Sequence, residues 1–204
     1  MVDIPPDLAP VGDDPFELWQ RWLAEAIEAG LAEPTAAVVS TIGDDGSPDA
    51  RFVLVREADA DGFVFYTNLR SAKSRQLLRD PRASLVFGWV AMQRSVRVRG
   101  SVALVDDARS DAYWNGRPRG SQLSAWASSQ SDAIGSRAEL EHAVAELDAR
   151  YAGEAVPRPE FWGGWKVTAA TIEFWHGRPN RLHDRIVWHR DPSAARWTPQ
   201  RLAP

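Results

Sequence analysis

The chain has no cysteine in 204 residues, which excludes disulfides, thiolate metal sites and cysteine nucleophiles together. Lysine is almost absent: Lys73 and Lys166 stand against 22 arginines, so one more arginine means little while a lysine stands out. A basic excess is missing too. The formal net charge is −4, whereas chains that live on nucleic-acid backbones carry positive charge, so no nucleic-acid partner is expected. The longest apolar stretch, roughly 83–92, is too short to cross a bilayer. The opening MVDIPPDLAP is acidic and proline-rich, unlike a signal peptide. A soluble cytoplasmic protein with no membrane partner is the expectation. No P-loop, dinucleotide-fold glycine motif or nucleophile elbow is present. Isolated histidines such as His142, His176 and His189 serve structure or solvent more often than a metal, and no metal site is expected.

What the chain does have is an ordinary globular composition, 44% hydrophobic and 25% charged, with an unusual ten tryptophans. Such rings build interfaces and the walls of ligand sites. Residues 1–14 read as a flexible N-terminal arm and 15–204 as a single domain. Asp14 caps a helix with Pro15 in its first position, ending at Gly30, and Phe16, Trp19, Trp22, Leu23 and Ile27 share one face. Alternating patterns then predict strands over 36–42, 50–57, 62–68, 83–90 and 95–105, with a short helix capped by Ser71 and closed before Pro81. Two short helices flank a loop at Arg117–Gly120. An amphipathic helix over 136–153 opens with a Ser136/Glu139 capping box. Strands over 164–177, 181–191 and 195–202 follow. Hairpin-joined strands with inserted helices predict a mostly antiparallel sheet or barrel with helices outside.

Four clusters carry chemistry. Tyr66 and Thr67 precede Ser71 and Lys73 where a strand meets a helix start, a combination suited to a phosphate. Arg51 and Arg56 share one strand, on opposite faces if it is regular. Tyr113, Arg117 and Ser121 recur every fourth residue, so a helical path would let them clasp an anion. In RLHDR (181–185), Arg181, His183 and Arg185 point one way on a strand, and three such side chains need an anion among them. Each cluster by itself is also compatible with ordinary surface polarity. Together they indicate a site for a planar, anionic, phosphorylated ligand.

RLHDR is also where a resemblance begins. The strings FWGGW (161–165), IEFWHGRPNRLHDR (172–185), the terminal RLAP, RPRGSQLSAWASSQS (117–131), RFVLVRE and GFVFYTN resemble the pyridoxine/pyridoxamine 5′-phosphate oxidase family, in the family's order and over almost the whole chain from about residue 15. The resemblance implies an FMN-binding split barrel: mostly β, antiparallel, with peripheral helices, working as a homodimer with two FMN sites at the interface. It implies oxidation of pyridoxamine or pyridoxine 5′-phosphate by O2 to pyridoxal 5′-phosphate with release of H2O2. By position, Arg51, Tyr66, Thr67, Lys73, Gln130, Ser131, Trp175 and Arg185 resemble FMN contacts. Arg56, Tyr113, Arg117 and Ser121 match the clasp on the substrate phosphate. Arg181 and His183 match the catalytic pair over the substrate ring.

Three positions depart from the family pattern: Arg56 where lysine is usual, Ala72 where arginine precedes the FMN lysine, and Ser95 where glutamine is usual. Arginine is not a geometric copy of lysine. One lost charge-assisted contact at Ala72 costs roughly 1.5–3 kcal/mol of FMN binding. Two other readings follow from these departures. One is a related split-barrel flavoenzyme acting on another ring, as in secondary metabolism; the other is a non-catalytic FMN or pyridoxal-phosphate carrier or sensor.

Overall fold

A computed structural model describes residues 14–191, 193 and 196–204; the expected N-terminal arm, apart from Asp14, lies outside the described residues. The alternating segments form strands β1 (Ala36–Ile42), β2 (Pro48–Asp59), β3 (Gly62–Asn68), β4 (Arg82–Trp89), β5 (Arg94–Leu104), β6 (Trp162–His176), β7 (Asp184–Asp191) and β8 (Arg196–Arg201). They pair antiparallel in the order β3-β2-β1-β4-β5-β6-β7-β8. The first half of β6 also pairs with β3, Phe63 opposite Val167 and Asn68 opposite Trp162, which closes six strands into a barrel. The second half of β6 pairs with β7 instead, Trp175 opposite Arg185. The expected antiparallel split barrel with added helices is what forms.

Inward residues of every barrel strand, among them Val39, Val55, Phe65, Leu85, Val98 and Val167, build one apolar core. Helix α1 (Pro15–Glu28) buries an aromatic stripe in it: Trp19 meets Phe87 at 4.3 Å and Phe63 at 5.2 Å, and Trp22 meets Phe174 at 5.2 Å. The Asp14 cap accepts from the N–H of Phe16 at 2.9 Å. The expected face needs one correction. Ile27 is 58% exposed, while Leu18 and Ala26 are buried. Ile27 stands one residue, or 100°, beyond Ala26 around the helix, which carries it off the barrel.

Helices α2 (Ala72–Arg79), α3 (Asp107–Asn115), α4 (Arg119–Ala127) and α5 (Arg137–Arg150) lie outside the barrel strands in the chain order expected. Ser71 stands at the N-cap of α2, yet its hydroxyl makes no cap bond and turns to Ser74 Oγ at 3.3 Å. The α3–α4 connection is shorter than expected. Pro118, with φ −55, sits just ahead of α4, so Arg119 and Gly120 already belong to its first turn. In α5 half of the expected capping box forms: the N–H of Glu139 donates to Ser136 Oγ at 3.2 Å, while the Glu139 carboxylate accepts from the N–H of Gly135 at 3.3 Å and not from that of Ser136. No α5 residue is fully buried, however, because the helix only overlies a small second cluster of Trp114, Leu123, Val156 and Trp162.

The β5–β6 ladder shifts register between Arg99 and Gly100. A Cβ at Gly100 would collide with the carbonyl oxygen of Thr168. Gly100→Ala is expected to cost about 2 kcal/mol through forced backbone displacement. A fall in the denaturation midpoint checks this, and an unchanged midpoint would show that the ladder gives way freely.

Candidate functional site

Three groups of polar side chains are assembled by the fold. The first surrounds the N-terminus of α2. The segment after α4 docks there: the N–H of Ala72 donates to Ser131 Oγ at 3.1 Å, and Asn68 Nδ2 donates to the carbonyl of Ser128 at 3.1 Å. Lys73 Nζ donates to Gln130 Oε1 at 2.7 Å and to Thr67 Oγ1 at 3.2 Å. So Thr67, Lys73, Gln130 and Ser131, separated in sequence, share one corner. Lys73 is only 8% exposed. Burial, reinforced by the positive charge of Arg51, lowers its pKa to about 8. A buried ammonium whose near partners are neutral oxygens calls for an anion. Ser131 adds strain, with φ +79 in a residue that is not glycine.

Arg51 stands beside this corner. It pairs with Asp49, and its guanidinium donates to Thr41 Oγ1 at 2.5 Å and to Gln76 Oε1 at 3.0 Å. Arg75 is turned away, donating to the carbonyl of Arg70, and does not stand in for the charge missing at Ala72.

The second group lies around a cavity of about 400 Å³ lined by Leu54, Arg56, Tyr66, Tyr113, Arg117, Pro118 and Ser121. A register shift in β2 between Val55 and Glu57 breaks strict alternation at Arg56. Arg51 lies beside the first group and Arg56 lines the second. Tyr113 lies in the last turn of α3, Arg117 sits in the connection and Ser121 lies in the first turn of α4. The fourfold spacing thus converges without one continuous helix. Arg117 lies over the Trp162 ring at 4.7 Å, and its Nη2 donates to the carbonyl of Ser121 at 2.9 Å. Its buried Nε has no partner among the described residues. Burial, then the nearby Arg56, pulls its pKa below the usual arginine range.

The rings of Tyr66 and Tyr113 stack at 4.1 Å, and Tyr66 is also parallel to Trp162 at 5.5 Å. Gly164 makes room for them, since a Cβ there would lie 2.8 Å from Tyr66 Cε1. The Tyr66 hydroxyl donates to Glu57 Oε1 at 2.6 Å, and Arg109 Nε donates to Glu57 Oε2 at 2.8 Å. Burial and this carboxylate push the Tyr66 phenol pKa up. Glu57, Arg109 and Trp162 were not singled out from sequence. Glu57 and Arg109 lie 52 residues apart, and no local pattern joins them.

The third group lies where β6 pairs with β7. Trp175 and Ser95 line two adjoining cavities, one with Arg185 and Pro204, the other with Gln93, Arg178 and His183. Arg185 donates to Glu173 Oε1 at 2.8 Å and to the carbonyl of Ala203 at 3.0 Å, fastening the terminal RLAP segment. The expected common strand face of Arg181, His183 and Arg185 does not form. β7 starts only at Asp184, and Asn180 and Arg181, at φ +57 and +62, form a tight turn before it. Arg181 is exposed and makes no hydrogen bond or ion pair among the described residues. His183 instead leans on Trp175, ring centres 4.7 Å apart.

No lining residue is common to the Tyr113/Arg117 cavity and the Trp175/His183 cavity. The two cavities are separate within one chain. Phe52 (77%), Val90 (85%) and Leu182 (70%) are exposed large apolar side chains, and Phe52 and Val90 line one further cavity together. Among the described residues, no helix is long and apolar enough to cross a membrane.

Comparison with known proteins adds the following. A family model described as "Pyridoxamine 5'-phosphate oxidase" matches residues 23–151. A second, described as "Pyridoxine 5'-phosphate oxidase C-terminal dimerisation region", matches residues 162–204. A pyridoxine/pyridoxamine 5′-phosphate oxidase of Rhodopseudomonas palustris is 48% identical over 94% of this chain and 91% of the relative. One of Synechocystis is 50% identical over 96% and 91%. Among solved structures, PhzG from Burkholderia lata, in complex with tetrahydrophenazine-1-carboxylic acid, superposes with a TM-score of 0.91 at 30% identity, covering 100% of this chain and 98% of that one.

Proposed function

This chain belongs to the pyridoxamine 5′-phosphate oxidase family, and from that premise we propose how its own residues carry out the oxidation of pyridoxamine or pyridoxine 5′-phosphate to pyridoxal 5′-phosphate. The observation that carries the reading is the convergence of Arg56, Tyr113, Arg117 and Ser121 on one cavity. Two guanidiniums and two hydroxyls there are complementary to a phosphate monoester, and the orphaned Nε of Arg117 is a donor awaiting an acceptor.

FMN is the flavin whose phosphate suits the corner at α2. The buried cation Lys73, the hydroxyls of Thr67 and Ser131 and the helix N-terminus are the donor set a phosphate dianion needs. Arg51 adds charge, and Tyr66, Gln130, Trp175 and Arg185 line the neighbouring cavities. When bound, FMN supplies hydride acceptance and reoxidation by O2 with release of H2O2. The chain's own residues do the rest. The clasp anchors the substrate phosphate, the Tyr66–Tyr113–Trp162 stack excludes water beneath it, and Arg181 and His183 orient the substrate ring.

The two cavities act as half-sites of one site in a homodimer, in which the clasp of one protomer faces the 181–183 turn of its partner. The apolar exposure of Phe52, Val90 and Leu182 supports this.

The test is aerobic turnover of pyridoxamine 5′-phosphate with added FMN, following pyridoxal 5′-phosphate and H2O2 together. One-to-one appearance of both supports the reading; tight product binding without turnover would instead mark a carrier. The likeness to PhzG favours a second reading, a reduced phenazine carboxylate as substrate. Oxidation of such a ring in preference to the phosphate ester would establish it. Arg181→Ala and His183→Ala are each expected to lower turnover about tenfold, the worth of one well-placed hydrogen bond, with flavin content unchanged. Loss of flavin with full turnover per bound flavin would remove both from the substrate.

A further inference from the structure

The turn that carries Arg181 and His183 is strained and tied down at the same time. Asn180 and Arg181 both occupy the left-handed backbone region, φ +57 and +62; asparagine tolerates it, but a long side chain such as that of Arg181 persists there only under constraint. The constraint is visible at its ends. Arg178 Nε pairs with Asp184 Oδ2 at 2.6 Å, and Arg201 Nη1, reaching over from β8, pairs with Asp184 Oδ1 at 2.7 Å. Asp184 is only 6% exposed. At the start of the turn, the N–H of Gly177 donates to the carbonyl of Gln93 at 2.7 Å.

Within this frame the main-chain N–H of Arg178 donates to His183 Nδ1 at 3.0 Å. An imidazole nitrogen that accepts a hydrogen bond carries no proton. The neutral ring must therefore hold its proton on Nε2, the nitrogen remote from the turn. His183 also lines the cavity of about 470 Å³ shared by Trp175 and Ser95.

We propose that Asp184 is a positioning residue of the reaction. By holding Arg178 it aims a backbone donor at His183 Nδ1, so that His183 meets the substrate as a hydrogen-bond donor through Nε2–H and not as a base. The catalytic half of this inference rests on the reading that His183 contacts the substrate; the tautomer itself does not. The device explains why an ion pair is buried beside a turn: it stabilises a left-handed backbone that Arg181 does not favour, and with it a single protonation pattern on the ring.

The experiment uses the flavin-loaded enzyme labelled with ¹⁵N-histidine. With four histidines in the chain, His183 is assigned by the signals lost in His183→Ala. At alkaline pH, where imidazoles are neutral, long-range ¹H–¹⁵N correlation is expected to show His183 with a bare Nδ1 and a protonated Nε2. In Asp184→Asn, which keeps the side chain's size, His183 is expected to populate both tautomers, and turnover is expected to fall at least fivefold at unchanged flavin content. A wild-type spectrum with the proton on Nδ1 overturns the proposal whatever the variant does. A single unchanged tautomer with full turnover in Asp184→Asn also overturns it. An Nε2–H tautomer together with undiminished turnover in His183→Ala overturns the contact with substrate and leaves the control of the tautomer standing.

Discussion

Arg117→Ala is expected to lower kcat/KM for the phosphorylated substrate by at least about 100-fold, almost entirely through KM. Two charge-assisted hydrogen bonds to a phosphate, at about 1.5–3 kcal/mol each, give a loss of that order. The phosphate is remote from the reacting carbon, so its binding energy is nearly the same in ground and transition states, and kcat moves little. Arg117 is the centre of the proposed clasp: its guanidinium rests on Trp162 at 4.7 Å, and its buried Nε has no partner among the described residues. Arg117→Lys is expected to recover part of the loss, because the charge returns but the planar fork does not. Steady-state kinetics with pyridoxamine 5′-phosphate decide the matter. A KM within threefold of wild type would mean that the phosphate binds elsewhere.

Lys73→Met is expected to weaken FMN binding about 30–100-fold at neutral pH, from the loss of one buried charge-assisted contact of about 2–3 kcal/mol. Methionine keeps most of the buried volume, so folding is spared. The pH dependence is specific to this lysine. In the free protein, burial and the charge of Arg51 lower its pKa to about 8. A bound phosphate favours the ammonium and raises that pKa. Below pH 8 the lysine is charged in both states and the affinity is flat with respect to this group. Above it, binding must take up a proton, so Kd rises towards tenfold per pH unit. Flavin titration by fluorescence quenching across pH 7–10 measures this. An unchanged bend near pH 8 in Lys73→Met would assign the titration to another group.

Glu57 illustrates why part of the site was invisible from the chain alone. Its carboxylate orders Tyr66 and binds Arg109, which places a salt bridge under the aromatic stack. The contact depends on β2 pairing with β3 and on α3 folding back beside them. The three-residue face expected for 181–185 failed for a related reason. Period-two reasoning presumes that the strand has begun, and here two left-handed residues intervene before Asp184. The tryptophans divide likewise: Trp19, Trp22 and Trp188 are core, while Trp162 and Trp175 line cavities, and no local pattern separates the two uses.

The amino-acid sequence by itself determined the strands of the barrel to within two residues at each end, the capped first helix and, through long matching strings, the family. Those properties follow from local periodicity, from capping and from residue identity, all of which are written along the chain. Only the tertiary structure decided that β6 serves both β3 and β7, that Gln130 meets Lys73, that Glu57 joins Tyr66 to Arg109, and that the N–H of Arg178 donates to His183 Nδ1. Each of these is a contact between segments brought together by barrel closure or by a turn held against its own backbone preference. Such contacts depend on the collective packing of the chain, which no window of neighbouring residues encodes.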